Sequence, residues 1–236
     1  METVRGKLIK RIKRTSIVES FRFILDKKID FIPGQFLQII FDKDNYENKK
    51  LNKYLSFSSS PTKKYIEVTK KLTESSFSQK LKDLKTEDSV LIKAPLGNCI
   101  FNDEYIKIGF LIGGIGITPV ISIMEYIVDK RLNTDAVLLY SNRTRKDIAF
   151  KKELDYWQTI CKNIKVIYTI TDSESKEGGY IFGRINKDLV SDKLKDYHQR
   201  IFFIFGPPHM VEAMKNICIE IGCRRENIKT EIFIGY

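Results

Sequence analysis

Leu111-Ile112-Gly113-Gly114-Ile115-Gly116-Ile117-Thr118-Pro119 is the stretch on which the fold turns. It follows an apolar run from Ile106 and opens a helix-periodic segment, Thr118–Val128. Glycines let the backbone come close to a ligand, and a helix N-terminus offers unpaired N–H groups and a positive dipole end to a pyrophosphate. Strand, glycine turn and helix in that order predict the first unit of a doubly wound sheet with a nucleotide at its carboxyl edge. A tight strand–helix turn with no ligand has the same local pattern, and the glycines alone do not separate the two.

Downstream of that turn the chain alternates. Apolar strand candidates begin near Ile106, Ala136, Ile164, Ile201 and Ile228. Helical patterns lie between most of them: Thr118–Val128, Asp147–Cys161 and Pro207–Ile221. The last has Pro in its first turn, Met210, Val211, Met214, Ile217, Cys218 and Ile221 at helical spacing, and Gly222 as a stop. Such repeats predict a five-stranded parallel sheet covered by helices on both faces. Phe205-Gly206-Pro207-Pro208-His209 repeats the strand–turn–helix arrangement at another carboxyl edge. Arg143 and Arg145 follow the strand ending near Ser141, where arginine can hold a phosphate or simply face water.

Upstream the pattern changes near residue 102. Lys7–Ile12, Ser16–Leu25, Phe36–Phe41, Tyr54–Ser58, Tyr65–Thr69 and Ser89–Lys93 are short runs rich in β-branched and aromatic residues, separated by turn clusters such as Pro33-Gly34 and Pro61-Thr62. They predict an antiparallel β-barrel interrupted by one helix, Ser76–Leu84. The expected division is therefore 1–102 and 103–236.

Composition bounds the function. The chain has 236 residues, 42% apolar and 30% charged, with a net charge of +11 from 41 Lys+Arg and 30 Asp+Glu. The four cysteines, at 99, 161, 218 and 223, form no C-x-x-C pair, and the two histidines leave little for a metal site. Met1–Ser20 has no apolar stretch of the secretory type. Ile108–Met124 is 17 residues without a charge, but Gly109, Gly113, Gly114, Gly116 and Pro119 mark it as strand, turn and helix start, so no membrane span is expected. A soluble protein of the reducing cytoplasm is the expectation.

Taken in order, several motifs together resemble the ferredoxin–NADP reductase-like flavoprotein family over nearly the whole chain. Pro33-Gly34-Gln35-Phe36 resembles its P-G-Q-F/Y segment, and Lys53-Tyr54-Leu55-Ser56 its R-x-Y-S flavin motif. Ala94-Pro95-Leu96-Gly97 resembles G-P-x-G, and Gly113–Pro119 resembles G-G-x-G-x-T-P. Asn142–Leu154 is similar to N-R-T-x-x-D-I-x-F-x-x-E-L, Gly206-Pro207-x-x-Met210 to C-G-P-x-x-M, and Glu231–Tyr236 to the aromatic C-terminus. Lys53 stands for the usual Arg, Leu55 for a Tyr, Glu74 near an expected Gly, and Phe205 for a Cys.

The resemblance implies an FAD-binding barrel (1–102), an NAD(P)-binding α/β domain (103–236), and hydride transfer from NAD(P)H to the flavin. Ser56 would stand beside flavin N5, and Tyr236 would cover the other flavin face. Lys53, Tyr54, Leu55 and the Ser76-Phe77-Ser78 backbone would hold FAD. Gly113, Gly114, Gly116, Thr118, Pro119, Gly206 and Pro207 would receive the nicotinamide nucleotide. Arg143, with Arg145, leans the coenzyme choice to NADPH. With no cysteine set for a built-in iron–sulfur cluster and a net charge of +11, electrons would leave to a separate, acidic one-electron carrier, a ferredoxin or flavodoxin. Two other readings compete: a basic nucleic-acid-binding module, disfavoured because its lysines are scattered and no such motif is present, and a family relative that has lost a cofactor.

Overall fold

The computed structural model describes residues 1–172 and 179–233. The backbone packs as two units, Met1–Phe101 with Thr118–Asp129, and Asn102–Ile117 with Lys130–Tyr236.

The first unit is built on six antiparallel strands: β1 (Glu2–Lys13), β2 (Val18–Leu25), β3 (Phe36–Ile40), β4 (Asn52–Ser56), β5 (Ile66–Lys71) and β6 (Ser89–Leu96). Their order is β4-β3-β6-β1-β2-β5, and an antiparallel bridge from Phe57 to Val68 joins the two ends, so the sheet closes as a barrel. Alternation does the sorting: in β1, Val4, Gly6 and Leu8 are buried while their neighbours face water. Leu8, Phe21, Phe23, Leu37, Ile39, Val68 and Ile92 form the fully buried centre. Helix α1 (Ser76–Asp83) sends Phe77 and Leu81 into this core, with Leu84 just beyond its end. The expected strands and helix are all present. β1 begins five residues earlier than its pattern predicts, because in Glu2–Gly6 only Val4 is a large apolar residue while the pairing to β6 is made by backbone.

The second unit is a parallel sheet of β7 (Lys107–Gly113), β8 (Asp135–Asn142), β9 (Ile164–Ile170), β10 (Ile181–Phe182), β11 (Ile201–Gly206) and β12 (Ile228–Ile232), ordered β10-β9-β8-β7-β11-β12. Helix α2 (Ile117–Lys130) follows β7, α3 (Lys151–Ile160) follows β8, α4 (Lys187–Lys193) follows β10 and α5 (Pro208–Glu220) follows β11. The sheet therefore has six strands among the described residues, not the five expected. β10 is two residues long, too short to show a period, and α4 carries only Leu189 and Val190 as apolar residues. α3 also starts at Lys151 rather than Asp147. Thr144 and Asp147 instead cap a separate single turn, and Phe150 adopts a left-handed conformation (φ 60°) that breaks the helical run.

Chain order runs from β7 outward through β8, β9 and β10, then returns to the other side of β7 for β11 and β12. The direction of winding thus switches across the β7–β11 pair, the place at the carboxyl ends where open α/β sheets bind ligands. Gly113 ends β7 and Gly206 ends β11. Among the described residues no helix is long and apolar enough to cross a membrane, which says nothing of strands.

Candidate active site

In the first unit the site centres on β4 and the serines after it. Ser58 Oγ hydrogen-bonds Thr69 Oγ1 at 2.7 Å, Ser59 Oγ accepts from the Glu67 amide at 2.9 Å, and Ser60 Oγ pairs with Thr62 Oγ1 at 2.7 Å. All three hydroxyls are committed to the fold. Ser56, 7% exposed, makes no side-chain hydrogen bond among the described residues, so its hydroxyl is free to serve a ligand. Leu55 packs against the barrel core, while Tyr54 lies exposed with its ring edge-on to Phe36 at 5.7 Å.

Cationic groups lie close to this strand. Lys53 shares a neighbourhood with Lys70 and Lys71, and burial, with the like charges of Lys53 and Lys71, lowers the Lys70 ammonium from its ordinary value. None of the three lysines has an ion-pair partner among the described residues. At α1, Ser75 caps the helix and occupies the Ser78 amide, leaving the Ser76 and Phe77 amides without an intrahelical acceptor. Glu74 does not oppose an anion there unscreened: its carboxylate is held by Gln79 Nε2 at 2.9 Å and Lys82 Nζ at 3.1 Å.

In the second unit the glycine turn Gly113–Gly116 sits at the switch point. Gly114 has φ +51° and open space where a Cβ would stand, so the turn presents bare backbone outward. Gly116 is bare for another reason: a Cβ would lie 2.2 Å from the Phe205 carbonyl oxygen. Tyr140, fully buried in β8, donates its hydroxyl to the Gly114 carbonyl at 3.0 Å and so holds the turn. Burial pushes this phenol up, which keeps it protonated and a donor. No sequence signal marked Tyr140 beyond its place near the end of a strand. Gly113 and Pro207 are part-exposed and Gly114 exposed, whereas Gly116, Thr118, Pro119 and Gly206 are buried. Phe205 is fully buried and stacked on Phe203 at 6.0 Å, with its side chain in the interior.

At the same carboxyl edge, the Asn142 amide atoms and Thr169 Oγ1 are buried with no hydrogen-bond partner among the described residues. Arg143 is paired with Asp172 at 2.8 Å, and Arg145 lies over the Tyr180 ring at 4.9 Å. Tyr236 lies outside the described residues.

Residues 5–101 match the oxidoreductase FAD-binding domain family, and residues 110–216 match the oxidoreductase NAD-binding domain family. The chain belongs to the ferredoxin–NADP reductase-like flavoprotein oxidoreductases. It is 25% identical over 224 residues to NADH-cytochrome b5 reductase 1 of Coccidioides immitis, covering 90% of this chain and 72% of that one. It is 30% identical over 219 residues to the glycine betaine monooxygenase reductase subunit of Pseudomonas aeruginosa, covering 89% of this chain and 58% of that one. Nitrate reductase [NADH] 1 of Nicotiana tabacum is 30% identical over 157 residues, 61% of this chain but 17% of that protein. The fold is shared with the flavohem-like FAD/NAD binding domain of nitric oxide dioxygenase from Vibrio cholerae (TM-score 0.85, 16% identity, 98% of each chain). It is also shared with ferredoxin-NADP+ reductase from Plasmodium falciparum (TM-score 0.77, 17% identity, 98% of this chain and 96% of that one). As a flavoprotein reductase of this family, the chain carries one domain for FAD and one for a nicotinamide dinucleotide, and its reaction is NAD(P)H-dependent reduction.

Proposed function

We propose that this reductase passes electrons from NADH, through FAD held by the 1–102 domain, to a separate one-electron carrier with an acidic surface. The observation that carries the reading is the Ser56 hydroxyl. It alone is uncommitted in a run of serines whose other hydroxyls are bonded within the fold, and it lies in the FAD-binding domain.

The residues present fit both groups. Lys53, with Lys70 and Lys71 beside it, and the open Ser76 and Phe77 amides suit the FAD pyrophosphate, with Tyr54, Leu55 and Ser78 in the same strand and helix turn. FAD, when bound, supplies the acceptance of a hydride and its release as single electrons. Ser56 would orient that chemistry by one hydrogen bond at flavin N5. The glycine turn, backed by Tyr140 and completed by Gly206 and Pro207, would receive the dinucleotide phosphates in the 103–236 domain, with Thr118 and Pro119 packing the start of α2 beneath it.

The arginines favour NADH over the NADPH that their positions alone suggest. Arg143 is neutralised by Asp172, and Arg145 is engaged with Tyr180. An acidic side chain at this edge suits a ribose 2′-hydroxyl and repels a 2′-phosphate. The names of the Coccidioides and Nicotiana relatives, which specify NADH, support the same choice. For the acceptor, a net charge of +11 favours an acidic carrier of the ferredoxin or flavodoxin kind, since opposite fields steer encounter.

The test is the visible spectrum of purified protein before and after anaerobic addition of each nicotinamide. Flavin bands that bleach with NADH faster than with NADPH are the expected result. A colourless protein that fails to take up added FAD refutes the flavin assignment and favours a relative that has lost its cofactor.

A further inference from the structure

One peptide group in the serine run is gripped at both ends by a single helix. Ser122 Oγ donates to the Ser59 carbonyl oxygen at 2.7 Å, and the Ser60 amide donates to Glu125 Oε2 at 2.7 Å. The Ser59 carbonyl and the Ser60 amide belong to the same planar peptide group, so α2 fixes both position and tilt of that plane. Ser122 and Glu125 are three residues apart on one face of α2 and so meet a single peptide together. Ser122 is fully buried, which removes water as a competitor for its bond.

The clamp is supported all round. Lys63 Nζ lies 3.3 Å from the Glu125 carboxylate and 2.8 Å from that of Asp129, and Thr62 Oγ1 also bonds Asp129. On the other side of the strip, the Ser58 amide donates to the Glu67 carbonyl at 2.7 Å and the Glu67 amide to Ser59 Oγ at 2.9 Å. The Glu67 carboxylate is itself bound by Arg14 at 2.9 Å and Arg22 at 2.6 Å. Residues 57–60 are thereby held from β5 and from α2, while Ser56, directly before them, keeps a free hydroxyl.

We propose that Ser122 and Glu125 are positioning residues that act through the Ser59–Ser60 peptide to set the Ser56 hydroxyl for the flavin step. The proposal rests on the assignment of Ser56 made above. It makes α2 more than the helix that follows the dinucleotide turn: one face of it aligns the hydroxyl in the FAD-binding domain. A carboxylate or a carboxamide at 125 can accept from the Ser60 amide; a methyl group cannot.

Two measurements test it. In protein without cofactor, hydrogen exchange at the Ser60 amide should be slow in wild type and Glu125→Gln and faster in Glu125→Ala, because only the last removes the acceptor. Equal exchange in all three overturns the clamp. In the FAD-loaded enzyme, Ser122→Ala should lower the limiting rate of flavin reduction by about three- to ten-fold, the value of one hydrogen bond, and leave the Kd for NADH unchanged. Placed on Ser56→Ala, the same substitution should cost nothing further, since the group it positions is gone. Full additivity of Ser122→Ala with Ser56→Ala overturns the positioning role while leaving the Ser56 assignment intact. If Ser56→Ala by itself leaves flavin reduction unchanged, both the assignment and the proposal fall.

Discussion

Gly116→Ala is the substitution whose cost the structure specifies most closely. A Cβ at residue 116 would sit 2.2 Å from the Phe205 carbonyl oxygen, 3.1 Å from its carbon and 3.5 Å from the Gly206 Cα. All three are backbone atoms of β11, so no side chain can rotate aside. Real Cβ atoms essentially never come within 3.0 Å of another heavy atom, which means that the turn must retreat from β11 by at least about 0.8 Å. Overpacking of this kind costs about 1–3 kcal/mol. For a protein of this size each kcal/mol moves Tm by about 2–4 °C, so a fall of about 2–12 °C is expected. The functional cost is larger, because a misplacement near 1 Å at a binding turn is worth up to about 100-fold. Gly114→Ala is the control: it meets nothing within 4 Å and carries only the strain of its positive φ, about 1–2 kcal/mol. Stopped-flow flavin reduction across a range of NADH concentrations, with thermal melts of the same preparations, reads both effects. Gly116→Ala should bind NADH at least ten-fold more weakly and Gly114→Ala only a few-fold. Wild-type Tm and Kd in Gly116→Ala would refute the argument that close packing on Phe205 is why residue 116 is glycine.

Three other outcomes follow from the structure. Asp172→Ala releases Arg143 from its ion pair and should raise kcat/KM for NADPH relative to NADH by several-fold; a ratio that does not move would assign the pair to the solvated surface. Reduction of an acidic ferredoxin or flavodoxin should fall steeply between low salt and 0.2 M, where the Debye length drops below about 10 Å, while reduction of a small neutral dye should hardly change; parallel salt curves would dismiss the acidic partner. Burial pushes the Glu231 carboxyl up to about 7 from its ordinary 4.5, so its contribution to stability is complete below 4.5 and is lost as pH rises through 7. Melts of wild type and Glu231→Gln should therefore diverge from pH 5 to pH 8, with wild type losing ground; a constant gap would show that Glu231 ionises at an ordinary pH.

The two-part architecture was legible because its signals are local. Strand, glycine turn and helix start at 107–119 are adjacent in the chain, and the period of α5, with Pro at its start and Gly222 after it, needs no tertiary partner to be seen. Barrel strands declared themselves as short runs of β-branched and aromatic residues between turn clusters such as Pro33-Gly34 and Pro61-Thr62. β10 and α4 escaped because two residues have no period and Lys187–Lys193 has too few apolar positions to show a face; the capping Asn186, which accepts from the Leu189 amide, was the signal available. The chain order of the motifs also pointed to the FAD-binding and NAD-binding domain families that match residues 5–101 and 110–216. What the sequence could not decide is which polar groups are left over. Four serines in Ser56–Ser60 look alike as letters, yet three are bonded by Glu67, Thr69 and Thr62, and only packing against β5 and the turn after Pro61 separates them from Ser56. The same holds for Arg143, neutralised by Asp172 from 29 residues away, and for the Ser60 amide, claimed by Glu125 from 65 residues away. A hydrogen bond acts over about 3 Å, so its partner is chosen by what folding brings within that distance and not by spacing along the chain.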